Sequence, residues 1–409
     1  MKKRIVAALV LLLLGISIGA VSLSGVHQFF SFGVKRKANL PDVDDSPTLR
    51  NGGGYVLVGG QEGTWFTKSQ YPALTRLDLS SNKTVSLSPV SGEGTVWSGG
   101  YNGSSWFITG WGSEGGEESP NPYFYSYNGS SGFNGTLSDP STESEWAGGD
   151  IFATSANGSG WFVSGMGSGV LGKGQPTNHL SAGFVRGNSF LDLTSELPRE
   201  MDGILYANSY NGSGWLVGGG YENRGVLFYY NGTAFEDLTG RISSAVETFH
   251  SVQSIAWNGK YWLVGGIGFL AIYNGSKFVD LTRELQAAIP LKTNSSKLNS
   301  INAIAWNGSS WLLGGGEPVA VNATFSYAWL AELSSSLSIS GSSRDLPEYT
   351  NNSSSSVLSI SYSNTSGDWI IGGYSRHSGL LLIDSKWGVV DLSNLVKGVM
   401  TYVDWVGST

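Results

Sequence analysis

Few side chains of this 409-residue chain have the type and spacing that catalysis or metal binding requires. Its four histidines show none of the spacings of a zinc site. They are His27, His179, His250 and His377. Cysteine is absent, which excludes disulfides, thiolate metal sites and a cysteine nucleophile. The sequence therefore predicts no catalytic residue, no metal site and no cofactor.

Five aspartates recur in nearly the same motif, as LDLS, LDLT, EDLT, VDLT and VDLS. They are Asp78, Asp192, Asp237, Asp280 and Asp391. Five such carboxylates could bind five cations, but we expect a structural role at the end of the fourth strand of each repeat. A charge at that outer edge blocks pairing between sheets. Asp with Ser or Thr can also cap the helical turns suggested by TRELQAA and SNLVKGV.

Fourteen asparagines stand in the Asn-x-Ser/Thr glycosylation motif. They are Asn82, Asn102, Asn128, Asn134, Asn157, Asn211, Asn231, Asn274, Asn294, Asn307, Asn322, Asn351, Asn352 and Asn364. Many precede glycine, so the hairpin preference for Asn-Gly could create the motif by chance. Six of the fourteen lack that glycine, and Asn258-Gly-Lys makes such a turn without a hydroxyl residue. Chance does not account for all of them, and we expect N-glycans.

The composition favours many short strands and excludes nucleic acid as a partner. Charged residues make up 13% of the chain, which contains 59 glycines and 15 tryptophans. This mixture of turn formers and large apolar side chains suits an all-β globular domain. The net charge is −7, and lysine and arginine are scattered beyond residue 37. No basic stripe could therefore neutralise a phosphate backbone.

The N-terminal residues predict export. After Met1-Lys-Lys-Arg4, residues 5–34 carry no formal charge. Residues 1–34 are either a signal peptide cleaved near Ser22 or a membrane anchor, and we favour the anchor because the apolar stretch can span a bilayer. The basic N-terminus would stay inside and place the rest outside. Residues 35–50 form a polar linker, and residues 51–409 form the folded domain.

A repeat with a period near fifty residues covers this domain. Each copy is marked by an aromatic residue followed by apolar residues and glycine. The marker residues are Tyr55, Trp106, Trp161, Trp215, Trp262, Trp311 and Trp369. Residues 251–282 contain four β-type runs, two of them joined by an Asn-Gly that predicts a type I′ turn. Seven copies predict an all-β fold, a seven-bladed β-propeller of four-stranded antiparallel blades.

The C-terminal residues predict how the ring closes. MTYVDWVGST matches the first strand of a repeat, with Trp405 in the position of Trp306. The first copy, by contrast, begins at its second strand, with Tyr55. Pairing of the N- and C-terminal strands would complete one blade and remove the open edges.

The unit IAWNGKYWLVGGIGFLAIYNGSKFVDLT resembles the repeats of known propeller families. YNGSKF and YNGTAF are similar to the Asp-box turn S-x-D-G-x-x-W of neuraminidase-repeat and photosystem II assembly-factor propellers. Strands that end in Gly-Gly resemble kelch repeats, as at Gly218-Gly219, Gly265-Gly266, Gly314-Gly315 and Gly372-Gly373. The resemblance covers residues 51–409 and implies the fold. In these families the turns and glycines are structural, and the chain contains no recognisable active-site motif of theirs.

Propeller geometry sorts the predicted loops onto two faces. Turns from strand one to two and from strand three to four share one face, which carries most of the glycosylation motifs. The opposite face carries longer loops, and aromatic side chains there could stack on a sugar ring or anchor a protein. Packing within their own loops is the alternative. The candidate ligand-binding residues are Trp65, Trp111, Tyr123, His179, Tyr221, Tyr374 and His377.

Three functions fit these observations. The leading interpretation is a cell-surface or secreted module that binds a protein or glycan partner or builds the envelope, in a prokaryotic and specifically archaeal host, since exported eukaryotic chains commonly use disulfides. An extracellular glycan hydrolase or lyase is the first alternative. It would need a charged cluster at the channel mouth, for which the nearest candidates are Glu114, Glu117, Glu118 and Arg376. A membrane-complex assembly factor is the second alternative.

Overall fold

A computed structural model describes residues 54–406 of the chain with gaps. The gaps are 63–70, 88–91, 114–120, 128–145, 147–148, 168–177, 188, 199–200, 222–223, 290–299, 317–327, 341–345, 347–354, 376–377, 386–387 and 397. The segments predicted as signal peptide or anchor (1–34) and as linker (35–50) lie outside the described residues. Within the described part, the chain has no helix of the length and hydrophobicity needed to cross a membrane.

The described residues contain twenty-seven strands, numbered β1 to β27 in chain order, which form seven antiparallel sheets, the blades. From the inner to the outer strand, blade 1 contains β27 (Val399–Val406), β1 (Tyr55–Glu62), β2 (Tyr71–Asp78) and β3 (Lys83–Ser86). Blade 2 contains the described strands β4 (Glu93–Tyr101), β5 (Trp106–Ser113) and β6 (Asn121–Tyr127). Blade 3 contains β7 (Asp150–Ala156), β8 (Trp161–Gly167), β9 (His179–Arg186) and β10 (Ser189–Asp192).

The remaining four blades follow the same order. Blade 4 contains β11 (Ile204–Tyr210), β12 (Trp215–Tyr221), β13 (Arg224–Tyr230) and β14 (Phe235–Asp237). Blade 5 contains β15 (Val252–Trp257), β16 (Trp262–Gly266), β17 (Phe269–Tyr273) and β18 (Phe278–Asp280). Blade 6 contains β19 (Ser300–Trp306), β20 (Ser310–Gly316), β21 (Ala328–Ser334) and β22 (Ile339–Ser340). Blade 7 contains β23 (Ser355–Tyr362), β24 (Trp369–Ser375), β25 (Ser378–Ser385) and β26 (Gly388–Asp391).

The ring closes by pairing of the two chain ends, as predicted. Strand β27 lies antiparallel to β1, with Trp405 opposite Val56 and Val406 opposite Tyr55. The first strands of successive blades contact one another in an unbroken circle, so they line the axis of a seven-bladed propeller.

Packing between neighbouring blades forms the core. Each of the seven interfaces has its own apolar cluster. Five of the repeated tryptophans are buried there, as predicted, whereas Trp369 is half-buried and Tyr55 is exposed. Large aromatic side chains suit this role because the wedge between radial sheets is wide and apolar.

Asp404 of β27 joins three blades near the closure. Its carboxylate accepts hydrogen bonds from the indole nitrogen of Trp106 in blade 2 (3.1 Å) and the hydroxyl of Ser361 in blade 7 (2.9 Å). Tyr402 donates a third hydrogen bond from within blade 1 (3.2 Å). Burial raises the pKa of Asp404, and these hydrogen bonds partly offset the rise.

Every blade has a β-bulge at the same place in its first strand, where one residue has no partner on the second strand. The second strand always has glycine opposite this bulge. A Cβ at that glycine would lie 1.8–2.4 Å from a carbonyl oxygen of the first strand, so no other residue fits. These glycines are Gly60, Gly110, Gly165, Gly219, Gly266, Gly315 and Gly373. The repeated glycine is therefore a steric requirement of the bulge.

The Asn-Gly turns lie where predicted, but they are not type I′ turns. A type I′ turn needs positive φ at both central residues, and here only the glycine has it, as at Gly308 (φ 93°). The Asn307 amide donates to the carbonyl of Ser310 (3.0 Å), which closes the loop. The Asn307 side-chain oxygen accepts the amides of Ser309 and Ser310. Asparagine is needed because its side chain replaces a backbone acceptor.

The recurring aspartates accept hydrogen bonds from the backbone that follows them, and one of them lies in a different strand from the predicted one. Asp192, Asp237, Asp280 and Asp391 end a fourth strand, whereas Asp78 ends β2, a third strand. Each accepts the amide two residues later at 2.9 Å. The following Ser or Thr hydroxyl then bonds back to the third strand in four blades.

The short helices follow these motifs. Helix α1 (Thr239–Ser243) and helix α2 (Thr282–Ala288) begin after Leu238 and Leu281, which cap them without a side-chain hydrogen bond. The aspartate one residue earlier bonds the first helical amide instead. SNLVKGV forms only the 3-10 turn Ser393–Leu395.

Candidate functional site

The bulge residues of the seven first strands lie around the propeller axis. They are Trp97, Phe152, Tyr206, Gln253, Asn302, Leu358 and Thr401, from blade 2 round to blade 1. Their backbone geometry is the same in every blade, but their side chains are not. The wall of the channel is therefore chemically divided, and the candidate site lies on one part of it.

Three aromatic bulge residues in succession form one side of the wall, which we name the aromatic arc: Trp97, Phe152 and Tyr206. The rings of Trp97 and Phe152 stack with centroids 4.9 Å apart. Tyr206 meets Phe152 edge to face, with centroids 5.5 Å apart. Because the three residues come from three blades, these contacts run along the channel wall. Burial raises the pKa of Tyr206, so its hydroxyl stays neutral.

The other side, which we name the polar arc, consists of Gln253, Asn302 and Thr401, with Leu358 between the last two. Gln253 donates to the hydroxyl of Ser251 (2.9 Å). Asn302 donates to the hydroxyl of Ser356 (2.9 Å) and accepts from the hydroxyl of Ser300. Thr401 donates to backbone carbonyls of blades 1 and 2. These groups bond to the propeller itself.

Asp150 stands beside the aromatic arc at the start of β7. It is 1% exposed, and neither carboxylate oxygen accepts a hydrogen bond from any residue that the structure describes. Its direct cross-strand partner is Met166, which packs with Phe152 and Ile204 in the cluster that also contacts Trp97 and Tyr206. Burial raises the pKa of Asp150 to about 8.

A second cluster of polar side chains lies between blades 1 and 2 on the same side of the ring and consists of Gln61, Thr95 and Tyr123. Thr95 donates to the side-chain oxygen of Gln61 (2.7 Å), and the hydroxyl of Tyr123 donates to the carbonyl of Thr95 (3.2 Å). The amide nitrogen of Gln61 finds no acceptor among the described residues. Burial, followed by the neighbouring Tyr125 and Asp150, raises the pKa of Tyr123. The charge of Asp150 therefore acts on the hydroxyl of Tyr123.

The sequence-predicted aromatic residues are not all surface groups. Trp111 and His179 are only 3% and 4% exposed, and Tyr123 and Tyr374 are half-buried. Tyr221, at 41%, is the member of the described set with a large exposed surface. Trp65 and His377 lie outside the described residues, as do Glu114, Glu117, Glu118 and Arg376. Trp111 and Tyr123 share blade 2 next to Asp150, while Tyr221 and Tyr374 lie in blades 4 and 7.

Sequence reasoning missed Trp97, Phe152, Tyr206 and Asp150. A signal for the bulge residues was present, because five of them stand five positions before the asparagine of the next turn. The pairs are Trp97 with Asn102, Phe152 with Asn157, Tyr206 with Asn211, Gln253 with Asn258, and Asn302 with Asn307. This spacing does not indicate that the position faces the axis, because bulges have no residue signature of their own.

Eight of the glycosylation motifs lie in described residues, all in turns on one face. They are Asn82, Asn102, Asn157, Asn211, Asn231, Asn274, Asn307 and Asn364. In the Asn-Gly turns the asparagine oxygen also accepts the hydroxyl of the motif's Ser or Thr, at 2.9 Å for Ser309. Asn128, Asn134, Asn294, Asn322, Asn351 and Asn352 lie outside the described residues.

In the part of the chain that the structure describes, no three acidic or histidine side chains come together as metal ligands would. The aromatic arc can stack on a flat or cationic group, and Asp150 can pair with a positive charge or donate a proton when neutral. The polar arc has little free hydrogen-bonding capacity. The asymmetry of the channel wall favours binding on the side of blades 2 to 4.

Comparison with known proteins shows the fold alone. No family model and no curated protein matches the sequence. Among solved structures, a candidate 6-phosphogluconolactonase from Bacteroides uniformis is 10% identical, with a TM-score of 0.50 over 86% of this chain and 99% of that one. The extracellular domain of a candidate one-component system from B. thetaiotaomicron is 15% identical, with a TM-score of 0.46 over 74% of this chain. This chain covers 34% of that longer protein.

A third similar structure is the β-propeller domain of the trilobed protease from Pyrococcus furiosus. It is 8% identical, with a TM-score of 0.47 over 83% of this chain and 94% of that one. The sheet topology of the chain itself shows a β-propeller, and its resemblance to kelch and neuraminidase-repeat propellers stays a prediction.

Proposed function

We propose that the protein is a cell-surface or secreted binding module, whose face opposite the glycosylation motifs binds a protein or glycan partner of the envelope. The observation that carries this proposal is the contrast between the two faces. On the glycosylation-motif face, the connections between described strands contain two to six residues. On the opposite face the connections reach nineteen residues, between β18 and β19. Long loops on a rigid scaffold are where propellers and other folds place recognition.

The position of the chain ends supports an orientation of the two propeller faces relative to the membrane. Strand β1 begins at Tyr55, opposite Val406, on the face that carries the Asn-Gly turns. A linker that precedes Tyr55 therefore leaves from that face. With residues 1–34 as the anchor, the glycosylation-motif face is directed to the membrane and the long-loop face to the outside.

Photo-crosslinking on the intact protein in its own cells tests this proposal. A photoreactive amino acid replaces Tyr221 on the long-loop face, and the matched control replaces Tyr101 on the other face, which is equally exposed (42%). We expect crosslinks to an envelope protein or glycan, identified by mass spectrometry, from position 221. Crosslinks from position 101 alone would refute the assignment of the binding face.

Glycosylation of the turns is part of the same proposal. Asn258 forms the same turn as Asn307, with its oxygen accepting the amides of Lys260 and Tyr261 at 2.9 Å, but it lacks the hydroxyl residue. We expect mass spectrometry of the native protein to find sugars on Asn307 and none on Asn258. The substitution Lys260→Ser should add a sugar at Asn258. Its failure to do so, with Asn307 unmodified, would remove the glycans from the proposal.

A further inference from the structure

Asp150 combines deep burial with the lack of a partner. A buried carboxylate is normally paired with a cation or held by several hydrogen bonds, because its desolvation is costly. Asp404 shows the usual solution within this protein, with four hydrogen-bond donors around it. Asp150 has no such donor among the described residues. Among the described residues, no lysine or arginine lowers the pKa of Asp150.

The aromatic arc supplies the surroundings that an organic cation prefers. Aromatic faces attract ammonium and guanidinium groups through their quadrupoles, most strongly where water is excluded. Trp97, Phe152 and Tyr206 are in mutual contact across three blades. Met166 links them to Asp150, since it is the direct cross-strand partner of Asp150 and packs on Phe152. Side chains of direct partners lie on the same side of a sheet.

We infer that the aromatic arc and Asp150 form a binding site for an organic cation, an ammonium or guanidinium group that pairs with the Asp150 carboxylate and rests on the rings. A neutral sugar could stack on the same rings, but it brings no charge to compensate a buried carboxylate. The cation can belong to a small amine or to a lysine or arginine side chain of a partner. This inference deepens the proposed binding function and rests on it, since a partner could also bind the outer loops and leave the channel empty.

Calorimetric titration of the intact protein with small probes tests the site directly. The probes are choline, n-butylguanidinium and 3,3-dimethylbutan-1-ol, the uncharged isostere of choline. We expect both cations to bind and the alcohol to bind at least ten-fold more weakly. A short acetylated peptide with one arginine distinguishes the two sources of the cation. Tighter binding of the peptide than of butylguanidinium supports a side chain of a partner, and the reverse supports a small amine.

Variants show whether the named residues hold the cation. Asp150→Asn should weaken choline binding about 30-fold or more, because truncating one member of a buried charge pair is costly. Phe152→Leu should weaken it about five-fold through loss of the ring. Leu358→Ala, which changes the equivalent bulge residue of blade 7, should leave binding unchanged and serves as the matched control.

Three results would overturn the inference. They are equal binding of choline and its alcohol isostere, unchanged binding by folded Asp150→Asn, and binding of methyl glucoside in place of the cations. None of them touches the crosslinking result from position 221, which tests the outer loops. Failure of the cation site and failure of the proposed function are therefore distinguishable.

Discussion

The two halves of the channel wall are built on the same backbone and differ in whether their polar groups are satisfied. In blades 5 to 7, Gln253 and Asn302 bond to serines of the propeller itself. In blades 2 to 4, the equivalent residues are aromatic, and Asp150 beside them has no hydrogen-bond partner among the described residues. Polar groups satisfied internally hold a structure together, whereas an unsatisfied buried carboxylate is costly and calls for a ligand. The comparison supports a structural role for one half and agrees with the proposed binding at the other.

The largest expected effect tests whether both halves of the channel wall require glycine opposite the bulge. In Gly219→Ala of blade 4 and Gly315→Ala of blade 6, the new Cβ would lie 1.9 and 1.8 Å from a carbonyl oxygen. We expect each to lose more than about 5 kcal/mol of unfolding free energy, because the bulge must shift. Denaturant unfolding measures this, with Gly240→Ala as control, since a Cβ there meets no atom within 4 Å. Tolerance at only one position would break the equivalence.

The next effect concerns the pH dependence that Asp150 imposes. Its pKa of about 8 lies above that of an unfolded aspartate, so protonation favours the folded state. The resulting stability is fully present below about pH 4 and is lost as the pH rises to about 8. Asp150→Asn should therefore gain on the order of 5 kcal/mol relative to the native protein at pH 9, and little at pH 4.

Thermal unfolding of both proteins from pH 4 to pH 9 provides the measurement. Asp391→Asn, on an exposed aspartate of the fourth strand of blade 7, controls for the loss of one charge. Parallel pH profiles for the native protein and Asp150→Asn would show that Asp150 is compensated, which would remove the contrast between the halves.

Loss of a side chain from the polar arc should lower the unfolding free energy, whereas Asp150→Asn should raise it at high pH. Asn302→Leu removes three hydrogen bonds, with Ser300, Ser356 and the carbonyl of Val357, and leaves the hydroxyl of Ser356 without its donor. We expect a loss of about 2 kcal/mol of unfolding free energy at every pH. Leu358→Asn, the reverse exchange in the neighbouring blade, should restore none of it in the double variant. A neutral effect of Asn302→Leu would mean that the polar arc is not structural.

The same contrasts separate the features that could be predicted from the sequence from those that could not. The seven-fold repeat and the pairing of β27 with β1 were predictable, because strand pattern and turn residues are local properties. The turn type was not, since the asparagine side chain replaces a backbone acceptor in a loop of four residues. Asp150 could not be singled out, because its burial depends on Met166 and on strands from three blades. Residues near loops were predicted to bind a ligand instead, although Trp111 and His179 among them are buried.

The smallest expected effect distinguishes Gln253 from Asn302 in the polar arc, because the two side chains make different numbers of hydrogen bonds. The Gln253 side chain makes one described hydrogen bond, to Ser251, whereas the Asn302 side chain makes three, with Ser300, Ser356 and the carbonyl of Val357. Gln253→Leu should therefore cost about 1 kcal/mol, less than the loss at Asn302, because it removes fewer hydrogen bonds. Denaturant unfolding of the two leucine variants side by side makes the comparison. Equal losses would show that the shape of the channel wall, rather than its hydrogen bonds, stabilises this half of the ring.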